Sequence, residues 1–234
     1  MKTKTYLFNQ TLAQLHPLIL LVVFLPPVLV HLVLKVITVL NPGFPTHSLA
    51  GFIIYVTCLW LTISLGTFYR RRQGITWQNL GFVNFRWSDL FWAAVASLSG
   101  FILFYVSQSL ADWLNLPAYQ VVDFEEGQEF NLVVVIMFCV LIGPLGEELL
   151  YRGFLLGWLW SRLRNPWLAG FLATLVFAIV HIPGFGLRGS LFILLWTPLI
   201  AALFIWRRSI FPGYVTHLAN NLVAYVLVPL LLKS

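Results

Sequence analysis

Continuous apolar runs of about twenty residues, separated by short polar turns, recur from one end of this chain to the other. Twenty residues of α-helix rise about 30 Å, the thickness of the hydrocarbon layer of a bilayer. Lipid offers no partner to a backbone N–H or C=O, so only helices and closed barrels can cross it. Barrel strands alternate apolar and polar residues, and these runs do not. The composition agrees: 60% of the 234 residues are hydrophobic and 9% are charged, against about 25% charged in an ordinary soluble domain. So large an apolar excess exceeds what one core can bury, and part of it must face lipid. The expectation is an all-α fold, a polytopic membrane helical bundle of about seven (six to eight) transmembrane helices. No room is left for a sizeable soluble domain.

The spans are expected at roughly 17–40, 48–69, 88–112, 130–158, 167–183, 190–206 and 211–231. Pro26 and Pro27 predict a kink in the first, and Asn41-Pro42-Gly43 and Pro183-Gly184 predict breaks. Residues 70–87 are basic and aromatic and are expected on the membrane surface, whereas residues 113–129 hold Asp123, Glu125, Glu126 and Glu129 and no basic residue. The net charge of +6 does not point to nucleic acid. Lys2, Lys4, Arg70 to Arg72, Arg162, Arg164, Arg207 and Arg208 all fall in short connections or near the chain start. That is the positive-inside pattern of a multi-pass protein in a bacterial-type plasma membrane. Strict alternation then puts the N-terminus in the cytoplasm and the acidic loop and C-terminus outside, with Arg188 and Lys233 dissenting. The first apolar run is too long for a signal-peptide core and is read as an uncleaved span. Cys58 and Cys139 lie in apolar spans and imply neither a disulfide framework nor a metal cluster.

Of the eight acidic residues, only Glu147 and Glu148 sit well inside an apolar run. A charge at the bilayer centre costs about 2.5–3.5 kcal/mol on the insertion scale, and such groups face the bundle interior. Glu148 and Arg152 are spaced i, i+4 and can form an ion pair. Glu147 has no basic partner on its face; Tyr151 is its i+4 neighbour. Two adjacent carboxylates resist being ionised together, which suits one of them to proton transfer near neutral pH. Among the five histidines, His181 ends the span that follows, and His217 shares a helical face with Asn221. His16 lies at a membrane edge, His47 in a connection, and His31 in the first span with no polar companion at helical spacing, so none of the three is a candidate. Glu147 and His181 are equidistant from the turn near residue 164, about 25 Å along each helix, so an antiparallel pair brings them level. His217 lies only about 10 Å past its own arginine turn. It joins them only if the 158–168 hairpin protrudes or the helices tilt.

In this order, Glu147-Glu148-Leu149-Leu150-Tyr151-Arg152, Phe177 to His181, and His217-Leu218-Ala219-Asn220-Asn221 resemble the Glu-Glu-x-x-x-Arg, Phe-x-x-x-His and His-x-x-x-Asn motifs of the CPBP family. This family comprises CAAX proteases and bacteriocin-processing enzymes and is also called Abi. The resemblance covers residues 130–231, a catalytic core, and leaves residues 1–129 as N-terminal transmembrane helices without a family motif. It implies an intramembrane endopeptidase whose helices surround an intramembrane cavity, acting on a lipidated or membrane-associated peptide, with membrane lipid as its surroundings. By position, Glu147 would be the general base, His181 would orient or activate the water, and His217 and Asn221 would stabilise the oxyanion. Glu148 and Arg152 would brace the helix, with Tyr151 and Phe177 in support. Glu147, His181 and His217 could instead bind a zinc-like metal; the metal-free glutamic description is the preferred one. Other intramembrane chemistries fit worse. There is no His-Glu-x-x-His, Ser97-Leu98-Ser99-Gly100 lacks the first glycine of Gly-x-Ser-Gly, and every aspartate lies in a connection or at a span edge. The competing readings are a non-enzymatic scaffold or bacteriocin-immunity protein of the same fold and a small proton-coupled transporter. The transporter would show repeats that this sequence lacks.

Overall fold

The computed structural model describes residues 12–44, 49–72, 74–118 and 132–233, and among these the chain is helical with no strand. His47, Asp123, Glu125, Glu126 and Glu129 lie outside the described residues, as do Lys2 and Lys4. A 3-10 helix, Pro17–Phe24, leads into α1, Leu25–Leu40. Then come α2, Leu49–Arg72, and α3, Trp87–Trp113. Next are α4, Leu132–Leu163, α5, Pro166–Arg207, and α6, Phe211–Leu231. Five helical stretches are long and apolar enough to cross a membrane, and a shorter apolar stretch, Ala50–Gly66, lies within α2. Large apolar side chains stand exposed along α1 (Val28, Leu32, Val36) and α3 (Leu98, Ile102, Tyr105). Lipid covers such faces. The chain is an integral membrane protein, all-α and polytopic.

The first kink is realised as the change from 3-10 to α geometry at Leu25. Pro26 and Pro27 then occupy the first turn of α1, where a missing N–H costs least. The expected break at Pro183-Gly184 comes later. Helix α5 continues past both residues and bends at Gly186, with φ 62 and ψ −177. A proline inside a helix removes one hydrogen bond, but a positive φ breaks the helical path, and glycine adopts it without a Cβ clash. The fifth and sixth spans are thus two arms of one kinked helix.

Two clasps bind α3 to the second arm of α5. At one end Arg207 donates to Asp89 (Nε–Oδ1 2.8 Å) and to Ser88. At the other, Arg188 pairs with Asp112 and also donates to Gln108 Oε1 and to the Leu116 carbonyl. The clasps are separated by about 29–35 Å of helix rise, close to the hydrocarbon thickness. Arg188, out of place by the positive-inside pattern, has this carboxylate as its counter-charge. Arg208 turns back over the Trp160 ring at 3.3 Å. Burial pushes its guanidinium down to about 10, so it stays charged at neutral pH.

Helix α4 is the centre of the bundle and is not a regular α-helix. It is π-helical over Ile136–Ile142 and Glu148–Leu156, with a single α turn, Gly143–Glu147, between. Gly143 N–H donates to Phe138 O, five residues back. In that register residue 144 would donate to Cys139 O, but Pro144 has no N–H. Side chains serve this stretch instead. Asn221 Nδ2 donates to Cys139 O at 2.9 Å, Trp60 Nε1 to Ile142 O at 3.0 Å and Tyr214 Oη to Leu141 O at 3.3 Å. π-Helical turns recur at functional sites because they re-aim the residues that follow. Here Glu147 and Glu148 follow.

Candidate active site

Glu147 and Glu148 are both buried, at 5% and 0% exposure. They point into a polar cluster assembled from α2, α4, α5 and α6. Glu147 Oε1 accepts a hydrogen bond from Tyr55 Oη at 2.9 Å and lies 3.8 Å from His181 Nε2. Its other oxygen, Oε2, lies 3.4 Å from His217 Nε2. Glu148 Oε1 lies 3.1 Å from both His217 Nδ1 and Arg152 Nη1. The structure therefore brings Glu147, Glu148, Arg152, His181 and His217 together, whereas Asn221, one turn beyond His217 on α6, is buried and donates to the Cys139 carbonyl.

The hydrogen-bond partners set the tautomers. His181 Nδ1 is 2.6 Å from the Phe177 carbonyl, which can only accept, so that nitrogen carries the proton. In the neutral ring Nε2 then presents a lone pair toward Glu147, and 3.8 Å is too long for a hydrogen bond. His181 and Glu147 converge on a common volume rather than on each other. His217 Nδ1 donates to Glu148, which as a carboxylate can only accept. His217 Nε2 faces Glu147 Oε2 at 3.4 Å, a contact longer than a well-formed hydrogen bond. That geometry suits a carboxylate base beside a histidine N–H donor.

Arg152 and Glu148 touch without an aligned hydrogen bond. Glu148 Oε2 and both Arg152 Nη atoms have no hydrogen-bond partner in the protein. The guanidinium lies 4.4 Å from the centroid of the Phe177 ring, which supplies a cation–π contact. Phe177 also meets the Tyr151 ring edge-on at 4.8 Å and the His181 ring at 4.3 Å. One aromatic side chain thus orders the arginine and both motif helices. Tyr151 supports the site through its ring alone, because its hydroxyl turns away from Glu147 to the Val23 carbonyl at 3.2 Å.

Close approach of the helices depends on glycines. A Cβ at Gly213 would lie 2.6 Å from Ile200 Cγ2 and 3.1 Å from Glu148 Oε2, so α6 reaches Glu148 only where residue 213 has no side chain. The depth of His217 is settled by the loops. Ile210 N–H donates to the Gly81 carbonyl, and Leu80 packs on Gly153. The turn before α6 therefore sits level with Gly153, about 16 Å inward of the Arg164 turn by helix rise. The 158–168 hairpin protrudes, and His217 falls level with the glutamates.

His31 is exposed, and His16 Nδ1 accepts from Leu18 N. The hydroxyls of Ser97 and Ser99 are spent on the carbonyls of Ala93 and Val95, four residues back in α3. Among the described residues no group of three or more His, Cys, Asp or Glu side chains is disposed to hold a metal ion. His181 and His217 approach opposite oxygens of Glu147. Reading the sequence missed Tyr55. Its trace there is a tyrosine well inside an apolar span, and the Gly143-Pro144-Leu145-Gly146 segment that admits its helix.

Residues 129–223, which contain every motif residue from Glu147 to Asn221, match the family model described as type II CAAX prenyl endopeptidase Rce1-like. No curated protein and no solved structure matches the chain.

Proposed function

We propose that the chain is an intramembrane endopeptidase of the Rce1-like, CPBP family, whose model residues 129–223 match, and that Glu147 activates its water. The observation that carries this is the Glu147 carboxylate, buried in a membrane bundle yet faced by Tyr55, His181 and His217. Glu147 takes a proton from a water whose oxygen attacks the scissile carbonyl carbon. His181 Nε2, presenting a lone pair to the same volume, orients that water. The carbonyl oxygen becomes an oxyanion, to which Asn221 donates together with His217 Nε2–H, the His217 ring carrying a proton on each nitrogen while Glu147 stays a carboxylate. Asn221 Nδ2 carries two protons and spends one on Cys139 O, so it is held in place with one left to give. Collapse breaks the C–N bond, and the leaving nitrogen takes the proton back from Glu147.

The substrate is a membrane-associated peptide, and its lipidated form is the first to try. An apolar cleft of about 290 Å³, lined by Leu149, Leu150, Phe154, Ile63, Thr62 and Trp77, lies beside α4 just beyond the glutamates and suits an apolar chain. The test is turnover of an internally quenched peptide ending in a farnesylated Cys-aliphatic-aliphatic-X sequence. Its unmodified counterpart, inserted in the same detergent, is the second arm. Glu147→Gln removes the base with little change of shape and should abolish cleavage while thermal stability is retained. Undiminished turnover by that variant would refute the mechanism.

A further inference from the structure

The part of the chain outside the family match also reaches the reacting carboxylate. Helix α2 crosses α4 at the Gly143–Glu147 turn, and the crossing is close because residues 143 and 146 lack side chains. A Cβ at Gly146 would lie 2.8 Å from Leu59 Cδ2 and 3.3 Å from Trp60 Nε1, and one at Gly143 would lie 3.3 Å from Val56 Cγ2. Leu59 is fully buried at this crossing. Trp60 fixes the depth and rotation of α2 by donating to the Ile142 carbonyl, which the π-helical register leaves accessible. With α2 held there, the Tyr55 hydroxyl meets Glu147 Oε1 at 2.9 Å. The Tyr55 ring is itself flanked by Phe52, at 5.9 Å between centroids.

We propose that Tyr55 is a positioning residue for the reaction: its phenolic O–H holds Glu147 Oε1, so that the carboxylate presents its remaining lone pairs to the volume it shares with His181. The inference rests on the endopeptidase reading and deepens it. A glutamate has three side-chain torsions, and the groups on the other flank of Glu147 stand farther off. His181 Nε2 is at 3.8 Å and His217 Nε2 at 3.4 Å. Tyr55 is the shortest polar contact Glu147 makes, and it comes from a helix that touches no other residue of the three motifs through a polar side-chain bond among those described. Its role is distinct from that of Trp60, which secures the helices whether or not catalysis occurs.

The experiment compares wild type, Tyr55→Phe and a protein with 4-aminophenylalanine at position 55, on the farnesylated quenched peptide. Phenylalanine keeps the ring packing and loses the donor, whereas the aniline keeps a donor. Tyr55→Phe should lower kcat about tenfold to hundredfold, the usual effect of a misplaced catalytic group, with KM unchanged within about twofold. The aniline should recover most of the loss. A second measurement needs no turnover: in protein labelled with 13Cζ-tyrosine, the Tyr55 resonance should shift when Glu147→Gln replaces the carboxylate. Wild-type kcat in Tyr55→Phe, or an unmoved resonance in Glu147→Gln, overturns the inference and leaves the endopeptidase reading standing. A wild-type protein that cleaves neither peptide overturns that reading and this inference together.

Discussion

Replacing Glu148 tests the division of labour between the two glutamates. Glu148 Oε1 lies 3.1 Å from Arg152 Nη1, and both side chains are buried, at 0% and 3% exposure. At an effective dielectric of about 20 the gross attraction across that distance is about 5 kcal/mol. Much of it offsets the cost of removing two charges from water, so the pair as a whole adds little net stability. Removing one partner is different, because it strands the other charge. Glu148→Gln and Arg152→Met should each destabilise the protein by about 3–5 kcal/mol. The double variant should cost well under the sum, leaving a coupling of about 2–3 kcal/mol. Glutamine keeps an oxygen for His217 Nδ1, so the cycle isolates the charge pair. The measurement is reversible unfolding in mixed micelles titrated with SDS, followed by the fluorescence of the ten tryptophans. Strict additivity of the two single effects would refute the brace and require another account of why Glu148 is buried.

Asn221→Ala removes the donor from Cys139 O, a carbonyl that Pro144 leaves without its backbone partner. It should lower stability by about 1–3 kcal/mol, the cost of a buried unsatisfied group. It should also lower kcat by about 10²–10³, the loss of one oxyanion donor, both read on the same purified preparation. In the glutamic reading, prolonged dialysis against a strong chelator should leave turnover of the farnesylated peptide unchanged; loss of activity that added zinc restores would transfer the roles of Glu147, His181 and His217 to metal binding.

Much of the site was legible because the membrane makes polar residues costly. Glu147, Glu148 and Arg152 stand out in an apolar run, and the i, i+4 spacing of Glu148 and Arg152 survives the π-helical geometry as a 3.1 Å contact. The level placement of Glu147 and His181 followed from equal helix lengths on either side of one turn. His217 did not follow in this way, since the offset of the 158–168 hairpin is set by contacts distant in sequence, Ile210 on Gly81 and Leu80 on Gly153. Gly186 likewise carries the bend expected at Pro183-Gly184, because its positive φ takes the backbone out of the helical path.

The sequence alone determined that this chain is a helical membrane bundle and that its costly polar groups collect on three motif-bearing helices. Hydropathy and helical spacing are local properties, readable residue by residue. Only the tertiary structure decided which polar groups meet. It set His217 between the two glutamates, turned the Tyr151 hydroxyl away to Val23, and brought Tyr55 from a motif-free helix onto Glu147. Those outcomes depend on how closely helices approach at Gly143, Gly146 and Gly213 and on the π-helical register of α4. Such distances arise from packing between segments far apart in the chain, which no periodicity within one segment records.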